Sequence, residues 1–307
     1  MDNNEQKKII SAYDKSVAAV VVTYNRKQLL KECIEALLAQ KAKHLRIFII
    51  DNASTDGTEE YVKGLIDGER VVYLNTGENL GGAGGFCFGI KEAMKSDCDY
   101  VWLMDDDCIV HPDSLDKLLE CADKLSGDFG FLSGVARWTD GEICEMNVQR
   151  ISVWRTVKNF TVPVQRIRFA SFVSLFLSRQ AVLTCGLPIK EFFIWGDDWE
   201  YTSRISKKFK NYLAEESVVT HKSAVNAGLN IAADTSDRLN RYFYAYRNES
   251  YLFNRLGISG KLYYAAKIPY HRLKLALSDV PDKKERFAII KKGLKAAKTF
   301  KPEIEYV

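Results

Sequence analysis

The chain has seven cysteines, an odd number, and no C-x-x-C pair. That excludes a closed disulfide framework and a zinc ribbon, and predicts thiols kept reduced in the cytosol. The opening MDNNEQKKII lacks the apolar core of a signal peptide. The longest nearly uncharged apolar run, FASFVSLFLS, falls far short of the roughly 20 residues that a bilayer span needs. There is no internal repeat and no low-complexity segment. Also missing are G-x-x-x-x-G-K-[ST], G-x-G-x-x-G and the spaced acids, glycine and final glutamate of an EF-hand. A net positive balance is missing outside the end of the chain: residues 255–307 carry 13 Lys/Arg against 5 Asp/Glu, so a net charge of +4 overall leaves −4 for the first 254. A body of that sign is not built to hold nucleic acid.

What is present is a regular alternation. VAAVVVTYN is a β-branched run that predicts a buried strand, and RKQLLKECIEALLAQ repeats its apolar residues at helical spacing. LRIFIIDNASTDGT and RVVYLNT predict further strands, with the helical EEYVKGLI between them. ENLGGAGGFCFGIKEAM predicts a glycine-rich loop running into a helix. YVWLMDDD is a fourth strand, and HPDSLDKLLECADKL starts a helix with Pro112 in its first turn. Strands alternating with helices predict an α/β fold, an open and mostly parallel sheet flanked by helices. Ligands of such sheets bind beyond the carboxyl ends of the strands. Those ends carry Thr23, Tyr24, Asn25, Asp51, Asn52, Asn75, Thr76 and three consecutive aspartates.

If Asp105, Asp106 and Asp107 continue the strand, Asp105 and Asp107 share one side. Two carboxylates there make an oxygen site for Mg²⁺ or Mn²⁺; the plain alternative is a solvated turn capping the next helix. The glycines of NLGGAGGF suit either a backbone cradle for a nucleotide or close strand–helix packing. In EFFIWGDDWEYTSRI, Asp197 and Asp198 lie among Trp195, Trp199 and other aromatics, the composition of a sugar site. A helix N-terminus beside core rings is the alternative. His221 follows a β-like run and becomes a candidate third ligand only beside a metal site short of one.

Taken together, VVVTYNR, IIDNASTDGT, NLGGAGGF, WLMDDD, WGDDWEY and a later histidine resemble family 2 glycosyltransferases of the GT-A fold. The resemblance covers about residues 16–225 and is closest to the galactofuranosyltransferase branch, near the rhamnosyltransferases. It implies a GT-A (Rossmann-like) mixed, mostly parallel sheet with a C-terminal helical extension. It divides the chain into an N-terminal extension 1–15, a catalytic domain 16–235 and a basic helical region 236–307. It implies that Thr23, Tyr24 and Asn25 border the nucleotide and that Asp51 reads its base. Asn79, Gly81 and Gly82 would lie along the donor, as would Asp105 and Asp106. Asp105, Asp107 and His221 would hold Mn²⁺ or Mg²⁺, and Asp198 would be the general base. Trp195, Asp197 and Trp199 would position the acceptor.

The implied reaction is a metal-dependent, inverting transfer from a UDP-sugar, UDP-galactofuranose first, to a glycan or lipid-linked glycan of the cell surface. dTDP-rhamnose is the alternative donor. A sugar nucleotidyltransferase would place its glycines after the first strand, and a glycan-binding module would have no use for Asp198. The chain is too short for the large β-domain of the polymerising galactofuranosyltransferases. Phe287, Ile290, Leu294 and Ala297 form a helical stripe amid lysines and Arg286, which predicts a helix lying on an anionic membrane surface; a solvated helix packed on the catalytic domain is the alternative. The expected location is the cytoplasm, at the inner face of the plasma membrane.

Overall fold

A computed structural model describes residues 11–307; most of the segment read as an N-terminal extension, residues 1–10, lies outside the described residues. Strand β1 (Val17–Thr23) is buried along its whole length, as expected for a strand covered on both faces. Helix α1 (Lys27–Leu38) turns Leu30, Cys33, Ile34 and Leu37 to the same core. The alternation continues through β2 (Leu45–Asp51), α2 (Thr58–Val62), β3 (Val71–Asn75), α3 (Gly81–Ala93) and β4 (Tyr100–Asp105). Short β5 (Cys108–Val110) follows the aspartates, then α4 (Ser114–Lys124) and β6 (Phe131–Arg137). A small hairpin, β7 (Arg150–Ser152) and β8 (Arg155–Thr156), precedes β9 (Gln165–Arg166), β10 (Leu175–Ser178), α5 (Arg179–Cys185), α6 (Asp197–Ile205) and β11 (Tyr212–His221).

Among the described residues the main sheet runs β3-β2-β1-β4-β10-β6-β11-β5, with β9 beside β11. The first four strands are parallel, and β10 enters antiparallel to both β4 and β6. The sheet is therefore mixed, and all four leading strands release the chain at one rim.

The glycine segment corrects one expectation. It is not a loop: α3 begins at Gly81 itself. A Cβ on Gly85 would come within 2.6 Å of Val22, and one on Gly89 within 2.5 Å of Val20. These glycines let the helix lie directly on β1. Each costs up to about 1 kcal/mol of helix propensity against alanine, and the close contact offsets it.

Three helices end the chain: α7 (Leu239–Arg255), α8 (Gly257–Leu277) and α9 (Lys283–Ala296). Here a second expectation is corrected. The apolar stripe of α9 faces α7 rather than a membrane: Ile290 and Gly293 are buried, and Phe287 and Leu294 pack on the same cluster. A Cβ on Gly293 would stand 2.8 Å from the Phe243 carbonyl, so the two backbones nearly touch. Arg286, counted with the lysines as part of a basic surface, is buried too; it donates to the Ile231 and Asp234 carbonyls and pairs with Asp282 at 2.6 Å. A single stripe cannot serve two surfaces, and closing the bundle uses it.

After α9 the chain returns to the sheet domain. Phe300 packs on Phe192 and Tyr251 beneath the Arg247 guanidinium. The Leu187 N–H donates to the Glu305 carbonyl at 2.8 Å, and the Glu305 carboxylate takes Lys91 and Lys190. No helix of the described residues is long and apolar enough to cross a membrane.

Candidate active site

Strand β4 ends at Asp105, opposite Val22 of β1. The chain then doubles into β5, whose Cys108 pairs with His221 of β11. The Lys222 N–H closes that turn on the Asp107 carbonyl at 2.8 Å. Strand register therefore brings His221 to the aspartates, with its Nε2 3.1 Å from Asp107 Oδ1. Asp105, Asp107 and His221 each offer a ligand atom within 4.8 Å of the others. Asp106 turns the other way. It is fully buried, accepts the Thr23 hydroxyl at 2.7 Å and meets Arg26 Nε at 3.3 Å. Arg26 Nη1 also reaches Asp107 Oδ2 at 2.6 Å.

These partners divide the acids sharply. Burial drives Asp105 up to about 6, with the charge of Asp107 adding to it. Burial drives Asp106 up to about 7 despite Arg26. Burial pushes Asp107 upward as well, but contact with His221 and the charge of Arg26 overrule it and hold it near 2. For His221, burial favours the neutral ring, yet Asp107, Cys144 and Asp105 raise it to about 10. His221 Nδ1 lies 2.8 Å from Asn147 Oδ1, which fixes the ring and aims Nε2 at the aspartates.

A divalent cation fits this arrangement. Asp107 Oδ1 is close to His221 but poorly aligned with it, and is left buried without a hydrogen bond. Two carboxylates and one oriented imidazole suit Mn²⁺ or Mg²⁺.

The second acidic cluster stands at the start of α6. Trp195 and Gly196 take φ of 65° and 86°, a left-handed turn that brings Asp197 into the first turn of the helix. Asn248 of α7 secures this turn by donating to the carbonyls of Phe192, Ile194 and Trp195 at 2.9, 3.1 and 2.8 Å. The Asp198 carboxylate accepts the Trp199 N–H at 2.7 Å and has no ion-pair partner among the described residues, while Glu200 is engaged by Arg204. Burial holds Asp197 well above the usual carboxylate range, with Asp198 and Asp105 adding to it. Burial also takes Asp198 up to about 7, again helped by Asp105. The charge of Asp105 reaches both, so the two acidic clusters are electrostatically coupled. Trp195 and Trp199 diverge: the first packs edge-on to Tyr242, the second on Phe169 and Phe253.

At the rim, Thr23 and Asp51 are buried, and Asp51 accepts the Ser54 N–H and the Tyr73 hydroxyl. Tyr24 is exposed, and Asn25 accepts the Thr55 N–H at 2.7 Å from a left-handed backbone. Asn79 accepts the Gly81 N–H at 2.9 Å, and Gly82 faces open space. Sequence reasoning missed Arg26 and Asn147, and gave Asn248 no role. Arg26 follows the TYN stretch directly; Asn248 lies in RYFYAYRNESYLF, whose tyrosine-rich Arg-Asn pattern resembles the helix that follows the catalytic domain in the same family, and Asn147 carries no signal outside the folded chain.

Residues 18–145 match the model of "Glycosyl transferase family 2". The galactofuranosyltransferase GlfT1 of Mycobacterium tuberculosis is 29% identical over 259 residues, covering 79% of this chain and 84% of the relative. That of Mycolicibacterium smegmatis is 27% identical over 262 residues, with the same coverage of 79% and 84%. Among solved structures, Staphylococcus aureus TarS 1-349 in complex with UDP matches with a TM-score of 0.53 at 12% identity, covering 93% of this chain and 72% of that one. The mannosyltransferase PcManGT of Pyrobaculum calidifontis, in complex with GDP-Man and Mn²⁺, matches at 0.56 and 16% identity, covering 94% and 76%.

Proposed function

Since residues 18–145 form a glycosyl transferase family 2 domain and the chain has the GT-A fold, we propose which glycosyl transfer this enzyme performs and how. It moves galactofuranose from UDP-galactofuranose to a hydroxyl of a glycan or lipid-linked glycan in cell-surface polysaccharide synthesis, inverting the anomeric centre. The observation that carries this reading is the clustering of Asp105, Asp107 and His221, with the buried Asp198 within electrostatic reach of Asp105. The choice of sugar is supported by the names of the relatives, and a nucleotide donor with a divalent ion by the complexes of the structural neighbours. Residues 16–235 are the catalytic domain, and 236–307 a helical region that completes it from the cytoplasmic side of the membrane.

Asp105, Asp107 and His221 hold Mn²⁺ or Mg²⁺, which when bound supplies neutralising charge for the leaving diphosphate. Thr23, Tyr24, Asn25 and Asp51 line the nucleotide, and Asn79, Gly81 and Gly82 the sugar. Asp105 reaches the diphosphate only through the cation, and Asp106, behind it, holds the Thr23 hydroxyl and Arg26 in place. Asp198 takes the proton of the acceptor hydroxyl as that oxygen bonds to the anomeric carbon; the bond from this carbon to the diphosphate oxygen breaks, and UDP leaves with the electron pair. Asp197, Trp195 and Trp199 position the acceptor. The test is a donor screen in Mn²⁺ with UDP-galactofuranose, UDP-hexopyranoses and dTDP-rhamnose. Transfer from UDP-galactofuranose is expected; transfer from dTDP-rhamnose alone would overturn the donor, and turnover of none would overturn the reaction.

A further inference from the structure

Helix α8 has an apolar outer side that none of the other described residues covers. Its inner side is conventional: Gly260, Tyr264 and Leu275 are buried, and Lys267 pairs with Glu249 at 2.6 Å. Opposite them, at helical spacing, Ile258, Leu262, Leu273 and Leu277 are 79, 61, 59 and 76% exposed, with exposed Pro269 and Tyr270 between. Large apolar side chains left in water over the length of a helix mark an interaction surface. The charge around the stripe limits what can cover it. Residues 257–277 contain Lys261, Lys267, Arg272 and Lys274 and no acid. Helical geometry sets Lys261 and Arg272 along one edge of the stripe and Lys274 along the other. A second copy docking by the same face would bring like charges together, whereas an anionic surface answers both edges.

The stripe also begins beside the acceptor cluster. Trp154, exposed at the tip of the β7–β8 hairpin, donates its indole N–H to Ser259 at 3.0 Å and meets Tyr263 edge-on. Arg150 lies over both Tyr263 and Trp199, the residue following Asp198. An indole at a bilayer interface is a common anchor.

We propose that the outer face of α8, with Trp154 at its first turn, is a docking surface for an anionic lipid bilayer. The helix lies in the headgroup plane and sets the acceptor side of the site against the membrane. This rests on the transferase reading only for its purpose, since docking is measured without donor, acceptor or metal. The full-length protein is floated with phosphatidylcholine vesicles containing about a third phosphatidylglycerol, and with vesicles lacking it. Leu262→Glu with Leu273→Glu should cut partitioning by at least about tenfold, while turnover with a water-soluble acceptor stays near normal. Lys261→Gln, Arg272→Gln and Lys274→Gln together should weaken binding and flatten its salt dependence, and Trp154→Phe should remove most of the blue shift in tryptophan emission on adding vesicles. The proposal is overturned if the parent protein does not float at low salt, or if the leucine variants float as well as it does. It is equally overturned if gel filtration shows a dimer that those variants dissolve, with no vesicle binding.

Discussion

The two acidic clusters differ in what answers their charge. At Asp107 the fold supplies cations of its own, Arg26 and the His221 imidazolium, and holds it near 2, while fully buried Asp106 rises to about 7 even beside Arg26. At Asp197 and Asp198, among the described residues, no Lys, Arg or His forms an ion pair, and Asp198 rises to about 7. The same residue type is thus prepared for two tasks. The compensated group stays ionised and can exchange its protein cations for a metal. The uncompensated group sits where a carboxylate can take up a proton near neutral pH.

The largest test of this contrast is Asp107→Ala, which removes a ligand atom outright. Transfer should be abolished and Mn²⁺-dependent nucleotide binding weakened, measured by radiolabel transfer and calorimetry. Full activity of the parent enzyme in excess EDTA would remove the reason for the compensated cluster. Next comes Asp198→Asn, which keeps size and polarity but cannot accept the proton. Donor binding should stay normal while turnover falls by about 10²–10⁴-fold; near-normal turnover would move the base to Asp197.

Arg26→Ala sharpens the comparison within the first cluster. With half of the Arg26 side chain in solvent, losing the pair should cost about 1–2 kcal/mol, less than for a buried one. The loss should appear as a lower Tm in EDTA and shrink in Mn²⁺, because the ion then supplies the missing charge. An equal loss in both would mean that Arg26 only packs.

A last measurement, of stability rather than transfer, guards the others against a false acid limb. Burial, with Lys267 and Lys274 nearby, lowers His271 to about 4 against an ordinary value of 6.5. Between those values the unfolded chain binds the extra proton, so stability is full above about 6.5 and declines as pH falls toward 4. The loss should be on the order of 2–3 kcal/mol, and His271→Gln should abolish it in thermal melts across that window. What pH dependence remains then belongs to the carboxylates.

Much of this was legible in the chain, and what was hidden has physical reasons. Continuous β-branched runs announced β1 and β2, because strands buried on both faces have no polar side to confuse the pattern. Asp105 and Asp107 were expected together from a continuing strand, but β4 stops at Asp105 and the turn through Asp106 and Asp107 into β5 is what groups them. His221 could be suspected only by type, since the β5–β11 register that carries it to Asp107 joins residues over a hundred positions apart. The glycines of α3 read as a loop because their role, clearance from Val20 and Val22, exists only when helix and strand meet. The stripe of α9 was visible but its partner was not. The stripe of α8 escaped notice because both sides of that helix are apolar, which erases the contrast that reveals an amphipathic helix.

The contact of Glu305 with the sheet domain has a consequence for the order of events in synthesis. The stretch from Gly186 to Phe193 leads directly into the turn that presents Trp195 and Asp197, and the Glu305 backbone and carboxylate fasten it at Leu187 and Lys190. Residue 305 leaves the ribosome long after the sheet has every strand it needs. A nascent chain can therefore assemble the Asp105–Asp107 turn while the Asp197–Asp198 turn still lacks its last fastening. Catalytic competence should then lag behind sheet formation during translation, by the time taken to make three helices and the return segment.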